Sequence, residues 1–246
     1  TIYSYGSSLH DLLMSSGAQV RSYAVGGTTS LQWADNDYSV PKNFFDKLNM
    51  YIIDETGKKS STLEKQGLAP LKEEFKPDII IISLGTNIIG QTGQARILRI
   101  EKANQLAKMA QQDAKCYWIG PPKTTDEKLR PLLDQTIQEI KDAVSPLFCT
   151  FIDSNTLTDE TKLDDKIHYN KEGGQDWAQK VFDELKKEGL NLNSPSTTAT
   201  ITGSSTNLFS RLQKCNNIVI GVIGASNTKE PSYVKYLRLL CPDSTF

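Results

Sequence analysis

The sequence lacks several features that would narrow its class at once. No apolar run approaches the roughly 20 residues that a membrane-spanning helix needs. Basic and acidic residues nearly cancel, at 28 and 29 with a net charge of −1, so the charge balance predicts binding neither to nucleic acid nor to an anionic membrane. The phosphate-binding patterns GxGxxG and GxxxxGK[ST] are also absent, which argues against a nucleotide-binding flavodoxin-like domain.

Cysteines are few and widely spaced. Cys116, Cys149, Cys215 and Cys241 form no CxxC pair, so we do not expect a zinc site. Cys116 and Cys149 lie in apolar, strand-like runs, for which we expect buried free thiols. An even number of cysteines permits disulfides but does not place the protein outside the cell.

Strand-like and helix-like segments alternate over residues 1–192. Because β-strands that alternate with helices form parallel sheets covered by helices on both faces, the pattern predicts an α/β fold with a parallel sheet. A Ser/Thr-rich stretch, 193–207, has no apolar period and is a predicted linker. The predicted strands are 18–25, 79–84, 115–119, 147–153 and 218–223, and the predicted helices are 7–17, 94–114, 126–145, 170–189 and one around 232–240.

Two residues that follow predicted strands could stabilise a developing negative charge. Open α/β sheets bind ligands beyond the carboxyl ends of their strands. Gly27 follows strand 18–25, and Asn87 follows strand 79–84. A backbone N–H from Gly27 and the side-chain amide of Asn87 are the donors that an oxyanion hole needs.

An Asp-x-x-His pair supplies a candidate base. Asp165 and His168 are three residues apart in a loop before a predicted helix. This spacing lets the carboxylate orient the imidazole, which can then act as base to a hydroxyl nucleophile. The other histidine, His10, falls within a predicted helix, where we expect a surface or core role.

The order of these residues resembles that of the SGNH/GDSL hydrolase superfamily. Gly27 in YAVGGTTS matches the second block of the family. Gly85 and Asn87 in LGTN match the third block, and Asp165 and His168 in DKIH match the fifth. The flanking sequences KPDIIIISLGTN, WIGPP and IHYNKEGGQDWA are similar to those of bacterial members.

The resemblance covers about residues 5–188. It implies a flavodoxin-like three-layer α/β/α sandwich with a parallel sheet. It also implies ester hydrolysis through an acyl-enzyme, without a metal or another cofactor, in a secreted or periplasmic protein. By the same resemblance, His168 is the base, Asp165 orients it, and Gly27 and Asn87 form the oxyanion hole.

The first block of the family, Gly-Asp-Ser after the first strand, is missing from its expected place. The chain begins at Thr1 rather than Met, without a basic or apolar leader, so we expect it to be processed or excerpted. Residues 218–228, IVIGVIGASNT, resemble the missing block, with Ala225 where the family has aspartate. Ser226 is therefore the candidate nucleophile.

Two arrangements of the domains remain open. Residues 1–192 are predicted to form an SGNH-like domain that lacks its first strand. Residues 208–246 either begin a second domain or return to supply the first strand in a permuted order. We favour the tandem origin for the sequence. Docking of the strand, within one chain or by exchange between chains, stays open.

The sequence leaves two functions to be distinguished. The first is a serine esterase acting on a short acyl ester, such as O-acetyl on a carbohydrate or cell-wall glycan. The second is a catalytically incomplete module that binds a glycan or a protein. The mostly polar stretch 28–40, with Trp33 as its main apolar or sugar-stacking surface, favours short acyl groups.

Overall fold

The structure is a computed structural model that describes residues 2–35, 50–60, 67–145, 147–192 and 218–225. The predicted linker, the predicted helix around 232–240, Ser226, Cys215 and Cys241 lie outside these ranges. Among the described residues, no helix has the length and the apolar character that crossing a membrane requires.

Helices and strands alternate along the described chain, as the sequence pattern predicts. The helices are α1 (Ile2–Ser15), α2 (Ser30–Asp35), α3 (Leu68–Phe75), α4 (Gly93–Gln111), α5 (Arg130–Val144), α6 (Ser154–Leu157) and α7 (Lys171–Lys187). The strands are β1 (Ala18–Val25), β2 (Met50–Ile53), β3 (Lys59–Ser60), β4 (Ile79–Ser83), β5 (Lys115–Ile119), β6 (Thr150–Ile152) and β7 (Ile218–Ala225). Short 3₁₀ turns cover Thr86–Ile88 and Glu160–Lys162.

Local sequence signals explain where the helices begin and end. Gly17 follows α1 with φ +95°, a left-handed conformation that glycine adopts at little cost. Pro131 lies in the first turn of α5, where its missing N–H removes no intrahelical bond. The side chain of Asn170 caps α7 by accepting a hydrogen bond of 2.8 Å from Gly173 N, which satisfies one of the free N–H groups at the start of the helix.

The described strands form one sheet in the order β3-β2-β1-β7-β4-β5-β6. Five neighbouring strands of this sheet run parallel, namely β1, β7, β4, β5 and β6. The other two, β2 and β3, pair antiparallel at one edge. If β7 is counted as the first strand, the parallel part has the order 2-1-3-4-5, which is that of flavodoxin-like folds.

Helices cover both faces of the sheet, which confirms the three-layer α/β/α sandwich. On one face, α1 and α7 pack against side chains of β1, β4, β5 and β6. On the other face, α2, α3, α4 and α5 pack against the alternate side chains of the same strands. The strand β4, IIIIS, contributes to both cores because successive side chains point to opposite faces.

The strand β7 lies in the middle of this sheet. Its residues pair with β1 over Ala18–Val25 and with β4 over Ile79–Ser83. It therefore occupies the place between the strand that precedes Gly27 and the strand that precedes Asn87. The division of the chain into domains and the exchange of this strand between chains stay predictions.

The helices α1 and α7 approach each other closely. Tyr5 stacks on Trp177 with ring centroids 3.8 Å apart, and both side chains are buried. A Cβ atom at Gly174 would collide with Ser4 Oγ and press against Tyr5 N. Glycine at position 174 therefore sets the distance between the two helices.

Cys116 and Cys149 form a disulfide, with Cα atoms 4.5 Å apart. The expectation of free thiols is therefore wrong. The cause is the register of two neighbouring strands, in which Tyr117 pairs with Thr150, so the residues just before them are adjacent. Both cysteines are buried, and disulfides form and persist in oxidising surroundings.

Candidate active site

The candidate residues follow strands whose carboxyl ends share one edge of the sheet. Gly27 comes two residues after β1, and Asn87 comes four residues after β4. Between them, β7 ends at Ala225, which pairs with Val25. In flavodoxin-like sheets the strand order reverses next to the first strand, and this is where such folds bind ligands.

Gly27 lies in a turn that its neighbours hold in place. Its φ is +71°, a conformation that favours glycine. The hydroxyl of Thr28 donates a 2.8 Å hydrogen bond to Val25 O and accepts one of 3.1 Å from Trp33 Nε1. The turn after β1 is therefore anchored to the core through a buried indole.

Asn87 is coupled directly to that turn. Its Nδ2 donates a 2.9 Å hydrogen bond to Thr28 O. A side-chain amide carries two N–H donors, so a second donor is left for another acceptor. The structure thus brings Asn87 next to the loop that carries Gly27.

The glycine of the Gly-x-Asn sequence has a structural reason. Gly85 has φ +146°, a backbone angle that residues other than glycine rarely adopt. A Cβ atom at this position would lie 2.8 Å from Pro121 Cδ and 2.9 Å from Ile140 Cδ1. Glycine therefore lets the chain turn sharply out of β4 and present Asn87.

Asp165 and His168 form a hydrogen-bonded pair. Asp165 Oδ2 lies 2.6 Å from His168 Nδ1. The other oxygen, Oδ1, accepts hydrogen bonds of 2.7 Å each from the backbone N–H groups of Ile167 and His168. The carboxylate is thus fixed by its own turn and faces the imidazole.

The electrostatics of Asp165 define the roles of the two ring nitrogens. Partial burial raises the pKa of Asp165, but hydrogen bonds from the His168 ring and from the backbone N–H groups of His168 and Ile167 outweigh this, and the net pKa lies below its ordinary value. An ionised carboxylate only accepts hydrogen bonds, so Nδ1 carries the proton. Nε2 is then the acceptor, as a general base requires.

Thr124 and Thr125 belong to the site, although the sequence analysis did not identify them. They follow β5 in the segment GPPKTTD, and both donate to Lys166 O within the turn that carries Asp165 and His168. The signal in the sequence was a pair of threonines beyond a strand. By itself it does not reveal which carbonyl the threonines bind.

Two other residues named in the sequence analysis lie in the core. His10 is fully buried, with Nδ1 2.9 Å from Ser22 Oγ. Trp33 is also fully buried, so its indole offers no surface for stacking on a sugar. Among the described residues, no cluster of His, Cys, Asp and Glu side chains is arranged to hold a metal ion.

No protein-family model matches the chain, and no curated protein matches it. Solved structures that are similar include an aryl esterase of M. smegmatis, at 15% identity and a TM-score of 0.37, over 45% of this chain and 60% of that one. A carbohydrate acetylesterase from Sinorhizobium meliloti is similar at 14% identity and a TM-score of 0.40, over 48% and 65%. A family two carbohydrate esterase from Clostridium thermocellum, solved with cellohexaose, is similar at 16% identity and a TM-score of 0.33, over 46% and 36%. The chain thus spans less than two thirds of the length of each of these esterases.

Proposed function

We propose that the protein is a serine esterase of SGNH type, which hydrolyses a short acyl ester through an acyl-enzyme. The observation that carries the proposal is the pair of Asp165 and His168, with 2.6 Å between Oδ2 and Nδ1. Two backbone N–H groups orient the carboxylate, and the turn that carries the pair is bonded to the loop after β5. An oriented imidazole with a free Nε2 is the base of a serine hydrolase.

Ser226 is proposed as the nucleophile. In the sequence it directly follows Ala225, the last residue of β7. The strand β7 ends between β1 and β4, which are followed by Gly27 and Asn87. The family aspartate supports the turn rather than the chemistry, so Ala225 at that position is compatible with an active serine.

In the first half of the reaction, His168 Nε2 takes the proton of the Ser226 hydroxyl as Oγ attacks the ester carbonyl. The carbonyl oxygen becomes an oxyanion, to which the Gly27 N–H and the free N–H of Asn87 Nδ2 donate. The tetrahedral intermediate collapses and breaks the bond to the alcohol. The alcohol leaves with the proton that His168 held, and the acyl group stays on Ser226.

In the second half, His168 takes a proton from a water molecule, which attacks the acyl-enzyme. The same two donors bind the second oxyanion, and its collapse releases the carboxylic acid. The proton returns from His168 to Ser226 Oγ, which restores the enzyme. Asp165 stays ionised throughout and stabilises the positively charged imidazolium.

The proposed substrate is a short acyl ester such as O-acetyl on a carbohydrate or cell-wall glycan. The polar composition of residues 28–40 supports this choice, because a long acyl chain would need a large apolar groove. Thr28, Thr29 and Ser30 are buried and hydrogen-bonded. They add no apolar surface to the turn after β1.

The test is labelling with a fluorophosphonate probe and turnover of p-nitrophenyl acetate by the full chain. We expect the label on Ser226 and its loss in His168→Ala. Asp165→Asn should lower kcat about 10³- to 10⁴-fold, since the amide stabilises the wrong tautomer of the imidazole.

Asp159→Asn is the matched control for Asp165→Asn. Asp159 also accepts two local hydrogen bonds through Oδ1, of 3.0 Å from Thr161 N and 2.8 Å from Thr161 Oγ1, but no described histidine contacts it. Equal effects of the two substitutions, or turnover that survives His168→Ala, would refute the proposal. Absence of both label and turnover would also refute it, and saturable glycan or protein binding would then favour the non-catalytic module.

A further inference from the structure

The turn that carries Asp165 and His168 is joined to the loop after β5 by hydrogen bonds to one carbonyl group. Lys166 O accepts 2.7 Å from Thr124 Oγ1 and 2.9 Å from Thr125 N. Lys166 lies between Asp165 and His168 in the sequence. The loop at the carboxyl end of β5 therefore fixes the carbonyl group at the middle of the turn.

The hydroxyl of Thr124 has a defined direction. Its side chain is buried, with 3% exposed. Oγ1 accepts a hydrogen bond of 3.2 Å from Asp126 N, and a hydroxyl has a single proton to donate. That proton therefore points to Lys166 O. The hydroxyl links the strand-end loop to the turn instead of facing solvent.

The bonds within the turn do not set its position in the molecule. The contacts of Asp165 with Ile167 N and with both His168 N and Nδ1 span three residues at most. They fix the carboxylate relative to the imidazole. They leave open where the pair lies relative to Gly27 and Asn87, which belong to other loops.

We infer that Thr124 is a positioning residue, which sets the placement of the Asp165–His168 pair through Lys166 O; this inference rests on the proposed esterase function. A base must be within hydrogen-bond reach of the proton that it takes. Displacement by about 1 Å can lower a rate about 100-fold.

Without the Thr124 hydroxyl, Lys166 O loses one of the two bonds that hold it and keeps the bond from Thr125 N. Other contacts with the loop are the exposed pair of Lys166 Nζ and Glu127 Oε1, 3.5 Å apart, and a bond of 3.1 Å from Tyr169 OH to Lys123 O. The middle of the turn can then shift relative to the loop.

The test compares Thr124→Val, which removes the hydroxyl at nearly constant volume, with Thr124→Ser, which retains it. For p-nitrophenyl acetate we expect kcat to fall about 10- to 100-fold in Thr124→Val with KM within about twofold. Thr124→Ser should restore most of kcat. In addition, two-bond ¹H–¹⁵N correlation spectra report which ring nitrogen of His168 carries the proton. We expect the Nδ1–H form in the wild type and in both variants, because the contacts of Asp165 with His168 lie within the turn. A fall in kcat in Thr124→Val then reports displacement of the pair.

Thr136→Val is the matched control. Thr136 is also buried, donates 2.7 Å to Leu132 O and accepts 3.0 Å from Arg96 Nη2, but it lies in α5. We expect this variant to keep kcat within about twofold and to keep the wild-type spectrum of His168. Equal losses of kcat in Thr124→Val and Thr136→Val, or an unchanged kcat in Thr124→Val, would overturn the inference. A change to the Nε2–H form in Thr124→Val would also overturn it, because the hydroxyl would then act on the tautomer and not on the placement of the pair. Failure of the wild type to turn over any ester would refute the proposed function and the inference with it, whereas an active wild type beside an equally active Thr124→Val would overturn the inference alone.

Discussion

Acidification is expected to destabilise the protein through His10. The imidazole is buried between α1 and β1, and its Nε2 has no hydrogen-bond partner among the described residues. Burial lowers the pKa of His10 from 6.5 to about 4; the positive charge of Lys59 also lowers it, and the negative charge of Asp54 opposes the change. The folded protein therefore holds this side chain neutral at a pH where the unfolded chain protonates it.

The sign and size of the effect follow from that difference. Between about pH 6.5 and 4 the unfolded state binds more protons at this position than the folded state, so the free energy of unfolding falls as the pH is lowered. A pKa that drops from 6.5 to about 4 corresponds to about 3 kcal/mol in total, at about 1.4 kcal/mol for each pH unit. About 2 kcal/mol of this is lost between pH 8 and pH 5.

The assay is urea unfolding at pH 8 and at pH 5 for the wild type, His10→Asn and His168→Asn. Because the carboxylates titrate in all three proteins, comparison of the pH effects isolates the histidine. His10→Asn should lose about 2 kcal/mol less than the wild type on acidification. His168→Asn retains His10 and should keep the loss that His10 causes. If acidification lowers the free energy of unfolding equally in His10→Asn and in the wild type, the pKa of His10 is not lowered by folding. His10→Gln repeats the test in a second background.

Three further predictions concern stability. Replacement of Cys116 and Cys149 by alanine should lower the free energy of unfolding by about 3–4 kcal/mol, because the disulfide joins residues 33 positions apart and restricts the unfolded chain. Non-reducing peptide maps of the wild type should contain the two cysteines in one linked pair of peptides. Free thiols at both positions would contradict the structure. Gly174→Ala should lower the free energy of unfolding by about 1–3 kcal/mol through overpacking. Gly17→Ala is the control and should lower it by about 1 kcal/mol, because a Cβ atom there has no neighbour within 4 Å and only the positive φ is unfavourable. Thermal melts that show the larger loss for Gly17→Ala would refute the close approach of α1 and α7. Gly221→Ala should raise the free energy of unfolding by about 0.5–1 kcal/mol. A Cβ atom there would make ordinary contacts beside a small cavity, and alanine loses less backbone entropy on folding than glycine. An unchanged urea midpoint would argue against the position of β7 in the sheet.

Elements with a strong local pattern were predictable from the sequence. The strand over 18–25 has the predicted bounds, and the buried run that starts at Ile79 forms β4. Both follow from apolar periodicity, which acts over a few residues. The predicted contact of Asp165 with His168 is also present, because a spacing of three residues makes it a local interaction.

The last part of the sheet shows where an apolar pattern misleads. The sequence predicted a strand over 147–153, but β6 covers Thr150–Ile152 alone. Leu147 is 75% exposed, and Cys149 N donates to Val144 O at the end of α5. Residues 147–149 form the turn that follows α5 and are not part of the strand. Their apolar side chains are typical of a strand, so the sequence pattern did not indicate this turn.

Contacts between distant residues were not predictable from the sequence. The disulfide depends on the register of β5 and β6, which brings together residues 33 positions apart. The burial of Trp33 depends on a partner in the turn before it and on helices that follow later. The antiparallel edge strands β2 and β3 were not predicted, because the apolar run of β2, MYII, has only four residues and pairs with β1, which lies apart from it in the sequence.

The position of β7 also has a consequence for how the chain reaches its native state. Ala18 pairs with Ile218, a contact that closes a loop of about 200 residues, for which the entropic cost must be met before the pairing stabilises anything. The strands β3, β2 and β1 lie on one side of β7, and β4, β5 and β6 lie on the other. Sheets built on such distant pairings fold slowly. During synthesis on the ribosome, the two halves of the sheet must therefore wait, with unpaired edges, for the residues of β7 that join them.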